Sequence, residues 1–157
     1  MVKFSYCHLP AYPLEESIKI IQTADECGFY AAYSVDETWW KDMWLLFAAA
    51  ADKTTQIRMG PSVSGVTLRE PTLIAQAAAT LDELTGGRAE VVLSSGNFGL
   101  LTEYGIDWSD TKPLSRVKEA VGVVRTFLDD GTITFDGEFF TSRGCSPSPV
   151  PSRSGCR

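Results

Sequence analysis

The spacing of apolar positions along the chain alternates between every second residue and every third or fourth, which predicts strands and helices following one another. Residues 2–7 alternate apolar and polar side chains and read as a first strand. Pro13 opens a helix with Glu15 and Glu16 in its first turn, where the helix dipole favours negative charge. Leu14, Ile18, Ile21 and Ala24 with Asp25 mark its inward face, and Gly28 ends it. Residues 29–35 form a second strand, and residues 43–52 a short helix whose alanines let neighbouring elements come close.

The stretch 57–96 organises the rest. It begins short, apolar and β-branched, then breaks into Gly, Pro and Ser at 60–65, the mark of a strand ending in a turn. Pro71 suits a first helical position, Ile74, Ala77, Leu81 and Leu84 recur at helical spacing, and Gly86-Gly87 supplies a left-handed stop. A second strand follows and ends at Ser94, Ser95 and Gly96. Strand, helix, strand in direct succession is a right-handed crossover, so the sheet is parallel. Ligands gather at the carboxyl edge of such sheets, which singles out residues 61–65 and 94–97 for chemistry.

Residues 97–110 read as a long Gly-, Asn- and aromatic-containing loop, a functional excursion rather than a minimal connection. Pro113 opens another helix, with Leu114, Val117, Val121, Val124 and Leu128 as its face. Residues 132–135 and 138–140 flank Asp136-Gly137, a hairpin signal. Four strand–helix units in succession fit either a doubly wound open sheet or half of an eight-fold (β/α) barrel. The domain is expected over residues 1–140. Residues 141–157 read as an irregular tail: the stretch from Gly144 has three prolines, two cysteines and no aromatic, as in a disordered segment or a coding sequence that has left its frame.

Composition narrows the function classes. With 157 residues, 44% of them apolar, the chain can bury a core. A net charge of -6 with scattered Lys and Arg offers no basic stripe, so nucleic acid is not an expected partner. The most apolar run, 43–51, is too short to span a bilayer, and no signal-peptide pattern opens the chain, so a cytoplasmic location is expected. Four cysteines without paired spacing form neither a disulfide framework nor a zinc site; no metal is expected, and Cys7 and Cys27 read as reduced core residues.

Two places carry candidate chemistry. His8, the only histidine, stands at a strand's C-terminal end, where it is either a ligand or proton-transfer group or a structural residue. Asp36 and Glu37, followed by Trp39, Trp40 and Asp42, stand at the end of the second strand. They read either as the floor for a flat aromatic ligand, with indoles to stack and carboxylates to accept, or as a helix cap beside packed tryptophans.

These blocks, taken together, resemble the bacterial-luciferase-like family of flavin- and deazaflavin-dependent oxidoreductases. The match is carried by Gly28-Phe29 leading into Val35-Asp36, by Met59-Gly-Pro-Ser-Val63, by Glu70-Pro71 through Ala79-Thr-Leu-Asp-Glu-Leu-Thr-Gly-Gly-Arg88, by Ser95-Gly96, and by Arg116-Val-Lys-Glu-Ala120 through Phe135-Asp-Gly-Glu138. The blocks are most similar to the branch that uses coenzyme F420, which includes the methylenetetrahydromethanopterin reductases. The resemblance implies the N-terminal half of a (β/α)₈ TIM barrel, with the cofactor at the C-terminal ends of the strands. It implies that Asp36 lies beside the polar edge of the ring, that Ser62 and Val63 form a bulge with a non-prolyl cis peptide behind the ring, and that Ser95, Gly96 and Asn97 contact the ring and ribityl side.

Two departures from the family's pattern stand at the site. Glu37 occupies a position where many members carry His, and Asn97 one where some carry a catalytic Glu, so acid–base roles do not transfer; His8 and Glu37 are the candidates for catalysis. The resemblance implies an oxidoreductase passing a hydride between F420 and a small organic substrate. The alternatives are a monooxygenase using reduced FMN and oxygen, and a truncated, catalytically incompetent half barrel. A half barrel exposes two sheet edges, and the chain is expected to pair as a homodimer to close them or to aggregate.

Overall fold

The computed structural model describes residues 2–145. Four strands, β1 (Ser5–His8), β2 (Ala31–Asp36), β3 (Arg58–Gly65) and β4 (Val92–Ser94), pair in parallel in the order β1-β2-β3-β4. Helices α1 (Leu14–Glu26), α2 (Met43–Ala50) and α3 (Pro71–Thr85) make the crossovers between them. Each crossover steps one strand further in the same direction. A doubly wound sheet reverses that direction at a switch point and a barrel never does, so the spatial order selects the barrel reading. After β4 come α4 (Phe98–Glu103), α5 (Pro113–Asp130) and an antiparallel hairpin of β5 (Ile133–Asp136) and β6 (Thr141–Cys145).

Strand register sorts the side chains between two faces. Tyr6, Ala32 and Met59 are aligned across β1, β2 and β3, and pack with Ile21, Phe47, Ile74 and Leu81 from the helices to form the main core. Cys7, Tyr33 and Gly60 are aligned on the other face. Cys7 is therefore exposed, contrary to the core position expected from its residue type: it lies on the concave face, opposite the helix layer. Cys27 is exposed as well, because it caps the C-terminus of α1.

The end of the barrel where the strands begin is locked by charge. Asp25, 6% exposed, accepts from the backbone amides of Thr55 (2.8 Å), Gln56 (2.8 Å) and Ile57 (2.6 Å) and from the Thr55 hydroxyl (3.1 Å). Arg88 donates to the carbonyls of Thr85, Ile57, Ala51 and Thr54 and to the Thr54 hydroxyl at 2.7–3.1 Å. That planar clamp gives the Gly86-Gly87-Arg88 block a structural purpose, joining the end of α3 to the corner before β3. The Glu90 carboxylate gathers Tyr30 Oη (2.9 Å), Tyr33 Oη and Arg58 Nε (2.5 Å). Burial raises Glu90, and these donors overcome it and hold it below the usual range; burial and the bond to Glu90 push Tyr33 up to about 12.

Several sequence readings shift in detail. On α5 the buried residues are Ala120, Val123, Val124 and Phe127, while Leu114 and Val121 are exposed. The helix rotates to pack on α3 and β4 at once, which turns its apparent stripe partly outward. Leu14 and Leu84 are half-exposed for the same reason: their helices bury small residues, such as Ser17 and Ala78, against the sheet. The region 97–110, read as a loop, contains α4 and a short 3₁₀ turn at Trp108–Asp110. Asn97 caps α4 by accepting from Gly99 N (2.9 Å), and Leu100 and Leu101 are buried beneath it.

The hairpin is offset from its expected register. Asp136 pairs with Thr141, so β6 occupies Thr141–Cys145, within the stretch read as an irregular tail, and residues 137–140 form the turn. The physical cause is Glu119 of α5, whose carboxylate accepts from the amides of Glu138 (3.0 Å), Phe139 (2.9 Å) and Phe140 (2.7 Å) and so diverts them from strand pairing. The remainder of that expected tail, 146–157, lies outside the described residues.

Candidate functional site

The strands converge at their C-terminal ends on a cleft of about 350 Å³, lined by Asp36, Glu37, Thr38, Trp40, Asp42, Leu68, Arg69 and Leu100. Asp36 is the last residue of β2. Its Oδ2 accepts from the Ser64 hydroxyl (2.5 Å) and the Trp44 indole (3.2 Å), and its Oδ1 from Arg69 Nη1 (3.3 Å). Glu37 follows and accepts from Asn97 Nδ2 at 2.9 Å, which ties the β2 loop to the cap of α4. Trp39 Nε1 donates to Glu103 (2.7 Å), Tyr104 Oη to Thr38 (3.2 Å), and Lys41 Nζ to the carbonyls of Pro10 (3.1 Å) and Tyr12 (3.0 Å). The β2 loop is thereby fastened on both flanks. Asp42 caps α2 through Leu45 N (3.0 Å), as the helix-cap reading expects; Trp44 is buried, and Trp39 and Trp40 are partly exposed.

The other predicted residues gather on the same edge. The Ser62–Val63 peptide is cis, the isomer the resemblance implies, and β3 shifts register against both neighbours beside it. Gly65 and Gly96 come so close that a Cβ on Gly65 would stand 2.9 Å from the Gly96 Cα. Gly96 also has φ 115°, a conformation that side chains rarely adopt, and its amide donates to Ser94 Oγ at 3.1 Å. Ser95 and Asn97 flank this turn, Ser95 half-buried and Asn97 exposed. The two glycine turns thus meet backbone to backbone, with no side chain between them. The cleft volume is within the range of small-molecule sites.

His8 stands apart from this group. It is 4% exposed and lies on the face of β1 that Tyr6 shares, with the Tyr6 and Tyr12 rings at 6.2 and 6.4 Å. Its backbone carbonyl accepts from Ser34 Oγ (2.7 Å), its Nε2 has no hydrogen-bond partner, and burial lowers its pKa below the ordinary imidazole value. Sequence reasoning missed Arg69, Ser64 and the role of Trp44. The only available signal was an Arg placed directly after the β3 turn.

A larger groove, about 950 Å³, runs along the outer edge of β4, lined among others by Arg58, Glu90, Val92, Val121, Val124 and Leu128. It follows the flank and lower end of the sheet, away from the turns at the strands' C-terminal ends, and its size reflects an uncovered strand edge. Among the described residues no group of three or more His, Cys, Asp or Glu is placed to hold a metal ion, and no helix is long and apolar enough to cross a membrane.

A parallel, singly wound α/β sheet with its polar cleft at the C-terminal strand ends defines the barrel class of proteins that bind ligands there. The chain belongs to the luciferase-like monooxygenase family, whose sequence profile matches residues 3–155. It is 31% identical over 144 residues to the 5,10-methylenetetrahydromethanopterin reductase of Archaeoglobus fulgidus, spanning 89% of this chain and 42% of that protein. It is 36% identical over 100 residues to the F420-dependent glucose-6-phosphate dehydrogenase of Kineococcus radiotolerans, spanning 62% of this chain and 29% of the relative. Its fold matches the coenzyme F420 dependent tetrahydromethanopterin reductase of Methanopyrus kandleri with a TM-score of 0.87 at 22% identity, over 94% of this chain and 46% of that one. The chain thus spans less than half the length of these relatives.

Proposed function

We propose that the C-terminal edge of this sheet binds the ring of a deazaflavin, coenzyme F420, as part of an oxidoreductase acting on a small organic substrate. One observation carries the reading: the Ser62–Val63 segment, the Gly65 and Gly96 turns and the Asp36–Glu37–Asn97 group all converge on one strand edge. Family membership supports it, as does the F420 dependence of two of the similar proteins, the dehydrogenase of Kineococcus radiotolerans and the reductase of Methanopyrus kandleri. The deazaflavin would supply the hydride chemistry. The chain's own residues bind and orient. Ser62, Val63, Ser95, Gly96 and Asn97 give backbone and short polar side chains for the ring to lie against, and Asp36 stands beside them at the same strand edge, its carboxylate bonded to Ser64, Trp44 and Arg69. Of the two acid–base candidates, Glu37 lines the cleft and keeps one carboxylate oxygen beyond the one that accepts from Asn97, while His8 is enclosed between Tyr6 and Tyr12.

A homodimer goes with this reading, supported by the two sheet edges, β1 and β4, that have a strand on one side only among the described residues. A cytoplasmic location also goes with it, supported by Cys7 and Cys27, which are free thiols among the described residues.

The test is a titration of the purified chain with oxidised F420 and, in parallel, FMN, following the fluorescence of cofactor and tryptophan. Saturable F420 binding with a Kd below about 100 μM, and FMN at least tenfold weaker, is the expected result. Preference for FMN would favour a flavin monooxygenase, and binding of neither by the folded chain would sink the cofactor reading.

A further inference from the structure

Asp36 is bonded in a way the sequence does not suggest. Three side chains donate to its carboxylate, and it is only 11% exposed. An ionised carboxylate offers about four acceptor positions, so little is left for a ligand. What stands at the cleft beside it is Arg69. This side chain is 31% exposed, its guanidinium lies over the Trp44 ring at 5.8 Å and is tethered to Asp36 by a single 3.3 Å bond, and its Nε is buried without a partner. A group with five N–H donors that uses one of them is poised to give others. Glu37 and Asp42 line the same cleft, and their charge opposes a fully anionic ligand there. Ser64, another residue Asp36 holds, is fully buried one position after Val63, where β3 shifts register against β2 and β4.

We infer that Asp36 is a positioning residue: through Ser64 it fixes the β3 turn, and through Arg69 it presents to the cleft a donor for a neutral carbonyl oxygen of the ligand. This rests on the cofactor reading above for the identity of the ligand, and on geometry alone for the positioning.

The test compares the full chain with Asp36→Asn, Ser64→Ala and Arg69→Met, reading amide hydrogen exchange at residues 62–66 and the affinity for F420 and FMN. Asp36→Asn and Ser64→Ala are each expected to speed exchange at 62–66 about tenfold. Arg69→Met is expected to leave that exchange as it was and to weaken cofactor binding about tenfold, matching Asp36→Asn. Unchanged exchange in both Asp36→Asn and Ser64→Ala overturns the inference. So does strong loss of binding in Asp36→Asn with full binding in Arg69→Met, since Asp36 would then touch the ligand itself. Should the unaltered chain bind neither cofactor, the cofactor reading fails by itself, and the exchange pattern still upholds or overturns the positioning role.

Discussion

Burial alone would push the Asp25 carboxyl up, yet the amides of Thr55, Ile57 and Gln56 and the Thr55 hydroxyl overcome it and hold the group below the usual aspartate range. A folded-state value below the unfolded one means these bonds stabilise the fold above about pH 4 and cease to do so as pH falls through the folded value. Asp25→Asn turns one acceptor into a donor that faces three backbone amides. The expected cost is about 3 kcal/mol, measured by urea unfolding at neutral pH, with an acid limb shallower than that of the unaltered chain. Equal stability at neutral pH would show that water replaces the bonds. Asp25 was legible only as one position on the inward face of a helix; its partners lie thirty or more residues away in sequence, and no local pattern names them.

At the scale of elements, Glu119 shows how a side chain in one segment sets the register of another. Its carboxylate collects three successive amides of the turn 138–140, and a Cβ at Gly137 would stand 2.2 Å from Glu119 Oε1. Glu119→Ala is expected to speed amide exchange at 138–140 about tenfold or more, leaving the β1–β4 sheet protected; unaltered exchange would assign the register to the Asp136-Gly137 sequence instead. The hairpin itself was legible from its turn residues, but the strand bounds were not, because a carboxylate nineteen or more positions upstream competes for the same amides. The existence of α1, α3 and α5 followed from periodicity, and that of α2 from its run of alanines. The short helix α4 did not, since it has fewer than two full turns of pattern and is made by the Asn97 cap and by burial of Leu100 and Leu101.

At the scale of the whole molecule, the sheet of the described residues ends in two parallel edges, with Val92 of β4 38% exposed and the concave face partly open at Cys7. An unpaired strand edge is a template for another chain. Sedimentation of the isolated chain over a range of concentrations is expected to show a dimer that dissociates on dilution, and a strictly monomeric chain would remove the homodimer from the proposal. The direction of the sheet decided between two architectures that the alternation of strands and helices left equal. The resemblance of several sequence blocks pointed to the barrel, and the β1-β2-β3-β4 order gives the reason in geometry.

The sequence by itself determined the element types, the parallel connection and the Ser/Gly turns at the C-terminal strand edge, because periodicity, helix stops and turn residues act over a few residues. It also held Asp36, Glu37 and the 62–63 and 95–97 turns as candidates, because each stands at the end of a strand. Only the tertiary structure decided which side chains occupy the Asp36 carboxylate, that His8 is enclosed while Glu37 lines the cleft, and that Arg69 stands at the cleft's edge. Those outcomes depend on which groups from distant segments arrive within hydrogen-bond distance, and on how much water the packing leaves between them.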